Sequence, residues 1–270
     1  MVLVVVLIVV VGALIYLRLH SKPKYLACAE YLIYLPGLEM PAQEALMDRV
    51  LKGSPYGQTI SPRIGILFSD IRLHLALILR SRNPHLFRPD TLEPHIEPTA
   101  ELLQNLSDAH SAVKVRYLSE VPLEDKRHLQ LLPYLAEAVA VLGGGSVIFD
   151  SSAERLYTLP QLQARLLADR DVTTDDLHVH VFSTHPTGGG IVIESRGFVK
   201  IGLPEFRTKL LEADMRVLAV AIMEEASKQV WKLAEYPDEA EVETFGDSFR
   251  VVFSPDSRPV EVKIMRKQTL

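Results

Sequence analysis

Cysteine is nearly absent: Cys28 is the only one in 270 residues. A lone thiol excludes an intramolecular disulfide and any cysteine-based zinc cluster, and it fits a reducing compartment. A basic excess is also missing. The formal net charge is -5, from 29 Lys and Arg against 34 Asp and Glu. A dedicated nucleic-acid binder presents a basic face, so no nucleic-acid partner is expected. The sequence carries no Gly-Lys-Ser/Thr of a phosphate loop, no G-x-S-x-G elbow and no H-E-x-x-H zinc motif. No enzyme class is therefore indicated, and no cofactor is expected. No residue-level repeat is visible, although strand-then-helix recurs at 31–51 and 113–142.

What is present suits a globular body. Hydrophobic residues make up 48% and charged residues 23%, and the chain is long enough for one large domain or two small ones. The amino terminus, "MVLVVVLIVVVGALIYLRLHSKPK", holds no charged side chain from residue 2 to residue 17. A helix over residues 1–17 spans roughly 25 Å, close to a hydrocarbon core of ~30 Å. Arg18 and Lys22 can snorkel across the difference. A cleaved signal needs a basic stretch before the apolar run, and none precedes Val2. "YLAC" ending at Cys28 loosely fits a lipoprotein site, but lysines separate it from the run. A buried strand is the poorer reading, because the unbroken run exceeds a usual strand length of about 5–6 residues. The expectation is one retained transmembrane helix over 1–24. Its positive flank places the body at the cytoplasmic side of the cell membrane, a periplasmic or secreted body being the weaker reading.

Beyond it, "AEYLIYLPG" reads as a strand and "MPAQEALMDRVLKGSP" as a helix. "SPYGQTISP" is a loop. Ile71, Leu73, Leu75, Leu77 and Leu79 alternate with Arg72, His74 and Arg80, which predicts a strand, with a helix as the alternative. The proline-punctuated stretch 83–98 is a candidate linker. "PTAELLQNLSDAHSA" is a short helix, "VKVRYLSE" a strand, and 126–142 a helix in which Pro133 marks the first turn or a kink. "DDLHVHVFSTHPTGGGIVIESRGFVKIGLPEF" reads as strand, turn, strand. A long helix over 213–235 has a buried stripe from Met215 to Leu233 and an expected Glu224–Lys228 pair. "EYPDEAEVE" reads as a solvated acidic loop. Phe249, Val251 and Phe253 alternate opposite Val260, Val262 and Ile264 in a closing hairpin turned at 255–259. Helices mixed with hairpins define an α+β class with a mixed or mainly antiparallel sheet. The expected segments are 1–24, 25–112 and 113–270, the last two as separate or continuous units.

Four constellations carry chemistry or its imitation. His178 and His180 fall on one side of a strand if "LHVHVF" is extended, and His185 follows at the turn. Three such histidines are the candidate metal ligands, against the simpler reading that they face solvent. Gly143, Gly144 and Gly145 run from helix to strand, the order of a C-cap and the reverse of a phosphate loop. Gly188, Gly189 and Gly190 sit between strands as a hairpin loop, with a backbone anion nest as the alternative. Asp150 and Ser151 end a strand, where a site or a turn can lie. Trp231 is expected in the core.

"LPYLAEAVAVLGGGSVIFD", "YTLPQLQARLL" and "IESRGFVKIGLPEF" followed by the long helix resemble a family of uncharacterised bacterial α+β domains with a GLPE-type element, over about 118–235. The resemblance implies a bacterial origin and an α+β fold, and it supplies no catalytic residue. The expectations are a membrane-tethered cytoplasmic interaction or scaffold domain with a protein partner, then a small-ligand sensor, then a metal-dependent hydrolase on the three histidines.

Overall fold

The computed structural model describes residues 27–53, 72–92, 99–121, 123, 126–168 and 174–267. The expected anchor over 1–24 and the loop "SPYGQTISP" lie outside them. Among the described residues, no helix is long and apolar enough to cross a membrane. The body is α+β, with two sheets that are mostly antiparallel.

The first sheet contains β1 (Ala27–Leu35), β2 (Leu73–Leu79), β3 (Ser111–Ser119), β4 (Val147–Asp150) and β5 (Arg155–Thr158), in the order β2-β3-β1-β4-β5. Every pairing is antiparallel. β1 sits in the middle because both its faces are apolar. Ala29, Tyr31, Ile33 and Leu35 join one buried cluster, while Leu32 and Tyr34 join another. The first face is covered by α1 (Gln43–Gly53) and α3 (Arg127–Gly143). The second is covered by α2 (Ala100–Asp108) and by the stretch expected as a linker. Where described, that stretch forms two 3-10 turns, Pro84–Phe87 and Pro89–Thr91. Phe87 and Leu92 are buried, and the Tyr34 hydroxyl donates to the Leu86 carbonyl at 2.7 Å. Its described part, 83–92, is therefore packed structure. The 112/113 division falls inside β3, whose partner is β1, so segments 25–112 and 113–270 share one sheet.

α3 is buried almost all round, from Leu129 to Ala140. Pro133 lies inside it, beyond the first turn. Gly144 ends it in the left-handed conformation at φ 69°. A Cβ on Gly145 would stand 2.6 Å from the Tyr34 carbonyl oxygen, so the glycine is needed for the close approach of chain to β1. α4 (Leu159–Ala168) packs beside α3.

The second sheet holds β6 (His180–Thr184), β7 (Val192–Arg196), β8 (Phe206–Thr208), β9 (Glu239–Thr244), β10 (Asp247–Ser254) and β11 (Val260–Arg266), in the order β6-β7-β8-β11-β10-β9. Only β8–β11 is parallel among its described pairs. The expected strand from Asp175 is corrected: Asp175–His178 form a helical turn, α5, and extension begins at His180. The expected acidic loop is also corrected. Ala240 and Val242 are buried between outward-facing Glu239, Glu241 and Glu243, which makes β9 a half-buried strand. Phe245 and Gly246, at φ 51° and 81°, close the β9–β10 hairpin with both central residues left-handed. α6 (Arg216–Leu233) lays Ala219, Ile222, Met223, Ala226, Val230 and Trp231 on the sheet, while Leu233 is exposed. Lys228 pairs with Glu225 at 2.6 Å instead of Glu224. One apolar cluster draws on both sheets, from Ala29 to Val262.

Candidate functional site

Two fully buried charged side chains meet where the two sheets join. Asp150 ends β4 and Lys200 lies in the 3-10 turn Phe198–Ile201, and neither side chain is exposed at all. Lys200 Nζ donates to Asp150 Oδ2 at 2.5 Å, and Asp150 Oδ1 accepts the Ala153 amide at 3.1 Å. The Lys200 carbonyl lies 2.9 Å from His128 Nε2. Burial pulls the Lys200 ammonium below its ordinary range, and the Asp150 carboxylate opposes it. Tyr31 shares this chamber. Burial first, and then the Asp150 charge, push its phenol well above the usual value, and no hydrogen bond of normal geometry reaches its hydroxyl. Such a chamber admits no substrate. It fixes one sheet against the other.

The GLPE-type element supports the same junction. Glu205 Oε1 accepts the Gly197 and Val199 amides at 2.9 and 3.2 Å, and Oε2 accepts the Ser195 hydroxyl at 2.7 Å. Burial raises its carboxyl against those three donors. Gly197, at φ 113°, passes so close to the His178 carbonyl that a Cβ would overlap it at 2.0 Å. Glu205 thus satisfies a turn, and its role there is structural.

Ser151 and Ser152 are consumed in closing the sheet. Ser151 Oγ lies 3.1 Å from Glu30 Oε1. Ser152 Oγ accepts the Glu30 amide at 3.0 Å and donates to the Cys28 carbonyl at 3.1 Å. Glu30 also holds Lys114 and Arg116 at 3.3 and 3.2 Å. The register sets His74, Arg116, Glu30 and Ser151 in one row across the strands. At about 4.8 Å per strand, His74 stands roughly 14 Å from Ser151, too far for a proton relay.

The three histidines expected as metal ligands occupy three different settings. His178 ends α5, is fully buried and stacks on Trp231 at 5.4 Å. His180 starts β6 with its ring against Phe182 at 5.1 Å. His185 follows β6 and is exposed. Among the described residues, no group of three or more His, Cys, Asp or Glu side chains is arranged to hold a metal ion. Trp231 is in the core as expected, with Lys126 over its ring and donating to its carbonyl.

An accessible site lies between α1, α3 and α4, in a groove of about 740 Å³. Its floor is fixed. Arg49 grips Glu137 through two bonds of 3.0 and 2.7 Å, and Gln163 Nε2 donates to Glu137 Oε1 at 2.7 Å. Its rim carries Leu142 and Leu167, the latter 72% exposed. This site was not read from the sequence. Arg49, Glu137 and Gln163 are polar residues on three separate helices, and nothing local says that they converge. The Gly188–Gly189 loop borders a second groove, against β8 and the β10–β11 turn.

Comparison with protein-family models, with curated proteins and with solved structures finds no match for this chain. The functional reading therefore rests on its own residues.

Proposed function

We propose that the protein is a tethered interaction module. The apolar segment 2–17 anchors it in the cell membrane as a single pass, the α+β body faces the cytoplasm, and the three-helix groove receives a protein partner. The observation that carries this reading is the groove itself: two exposed leucines stand beside a polar floor already fixed by a bidentate Arg–carboxylate pair. An arginine and carboxylate held in place beforehand lose little freedom on binding, and the exposed leucines beside them add apolar area to remove from water. Asp150 and Lys200 are sealed in the core, and Ser151 and Ser152 are tied into the sheet. That favours an interaction module over a hydrolase, and the dispersed histidines favour it further.

The test is affinity capture from detergent extracts with the full chain and with Leu167→Glu. A partner recovered by the parent chain, and lost by the variant at unchanged melting temperature, is the expected result. A partner set indifferent to Leu167→Glu, or no reproducible partner, rejects the groove. Protease protection in spheroplasts tests the orientation, and digestion of the body from outside reverses it.

A further inference from the structure

The second groove, of about 550 Å³, lies on the other sheet and is independent of the interaction reading. Its size falls in the range of small-ligand sites. Three cations line it, Arg207, Lys209 and Arg258, against one carboxylate, Glu261. Glu194 pairs with Arg207 behind the wall, so the positive excess is carried by Lys209 and Arg258, and in a chain of net charge -5 such a local excess draws anions. The opposite wall is the hairpin loop carrying Gly188 and Gly189. Their φ values are 120° and 91°, which only glycine adopts readily, and a Cβ at either would meet nothing within 4 Å. These glycines answer to backbone conformation and open space, not to packing. Among the described residues, the amide N–H groups of Gly188 and Gly189 have no hydrogen-bond partner. Successive amides in a turn are a known means of cradling an anion.

The cations differ in how firmly they are held. Arg207 is fixed by Glu194 at 3.2 Å. Lys209 only approaches Glu261, at 3.9 Å, with 72% and 60% of the two side chains exposed. A pair so long and so wet contributes little, so Lys209 can turn to a ligand at small cost.

We propose that this groove binds the oxyanion of a small molecule, a phosphate or carboxylate group, with Lys209 and Arg258 as charged contacts and the Gly188 and Gly189 amides as donors. Hydrogen–deuterium exchange on the full chain tests it, comparing inorganic phosphate, acetate and chloride at matched ionic strength. The expected result is slower exchange across 186–191 with an oxyanion and not with chloride. Protection by phosphate alone assigns a phosphoryl ligand, and protection by acetate as well assigns an unselective oxyanion site. Lys209→Glu abolishes the protection, whereas Lys52→Glu, the same charge change on α1, preserves it. No protection by either oxyanion, equal protection by chloride, or protection that survives Lys209→Glu overturns the proposal.

Discussion

Lys200 and Asp150 meet where neither side chain touches water, so each depends on the other. Removing one partner strands the second as a buried charge, a loss of about 3–5 kcal/mol. Lys200→Met is expected to lower the unfolding free energy by that order, read from a denaturant titration. The double variant Lys200→Met with Asp150→Asn recovers much of the loss, because asparagine keeps an acceptor for the Ala153 amide and carries no charge. A denaturant double-mutant cycle reads the coupling, and additive losses would show that the pair is not coupled. Asp175 gives a second residue-scale prediction. Burial, and after it the neighbouring Asp176 charge, raise its carboxyl from 3.8 to about 6. The folded state then holds this proton more tightly than the unfolded state does. Its contribution is favourable below about 4 and is lost as pH rises through about 6. Asp175→Asn is therefore expected to melt higher than the parent at neutral pH, with the advantage fading toward pH 4. A thermal melt at several pH values checks it, and a gap that widens on acidification contradicts it.

Helices and strands with a long, single period were legible in the sequence. β1, β3, α3 and α6 show it, because burial on one or both faces writes a run or a stripe into the chain. β9 was not legible because only two apolar residues, Ala240 and Val242, stand among glutamates. Its partner β10 supplies the missing hydrophobic context, and no local window contains that. The histidine register failed for the opposite reason. "LHVHVF" alternates cleanly, yet Leu177 and His178 belong to a helical turn held by the Val179 amide on the Asp175 carbonyl at 2.7 Å. The turn from α3 into β4 offers a test at this scale. Gly145→Ala drives a methyl against the fixed Tyr34 carbonyl, so a cost of about 1–3 kcal/mol is expected. Gly143→Ala meets only the movable end of Leu35, at 2.9 Å, and gains helix propensity. Its denaturation midpoint should move far less. Equal losses for the two would refute the assignment.

At the scale of the whole molecule, the sequence indicated an α+β body and left the two-sheet arrangement hidden. Sheet order depends on which strands meet over long separations, and the Asp150–Lys200 contact that ties the sheets is invisible in either local stretch. The candidate groove has the same origin, since its polar floor comes from three helices. Its exposed rim yields a global prediction. Leu167→Glu should leave the melting temperature within the small range expected of surface changes, because the parent side chain is 72% exposed. A large drop would mean that Leu167 belongs to the core and not to a binding face.

The order β2-β3-β1-β4-β5 puts the first described strand at the centre of its sheet. Any mechanical load arriving from residues before Ala27 therefore enters the middle of the fold. There β1 is laddered to β3 along its whole length and to β4 along its C-terminal half. A body suspended at a frayed edge would peel open strand by strand. One suspended from its central strand shares the pull between two ladders and the helices packed across them, and so resists being unravelled from that end.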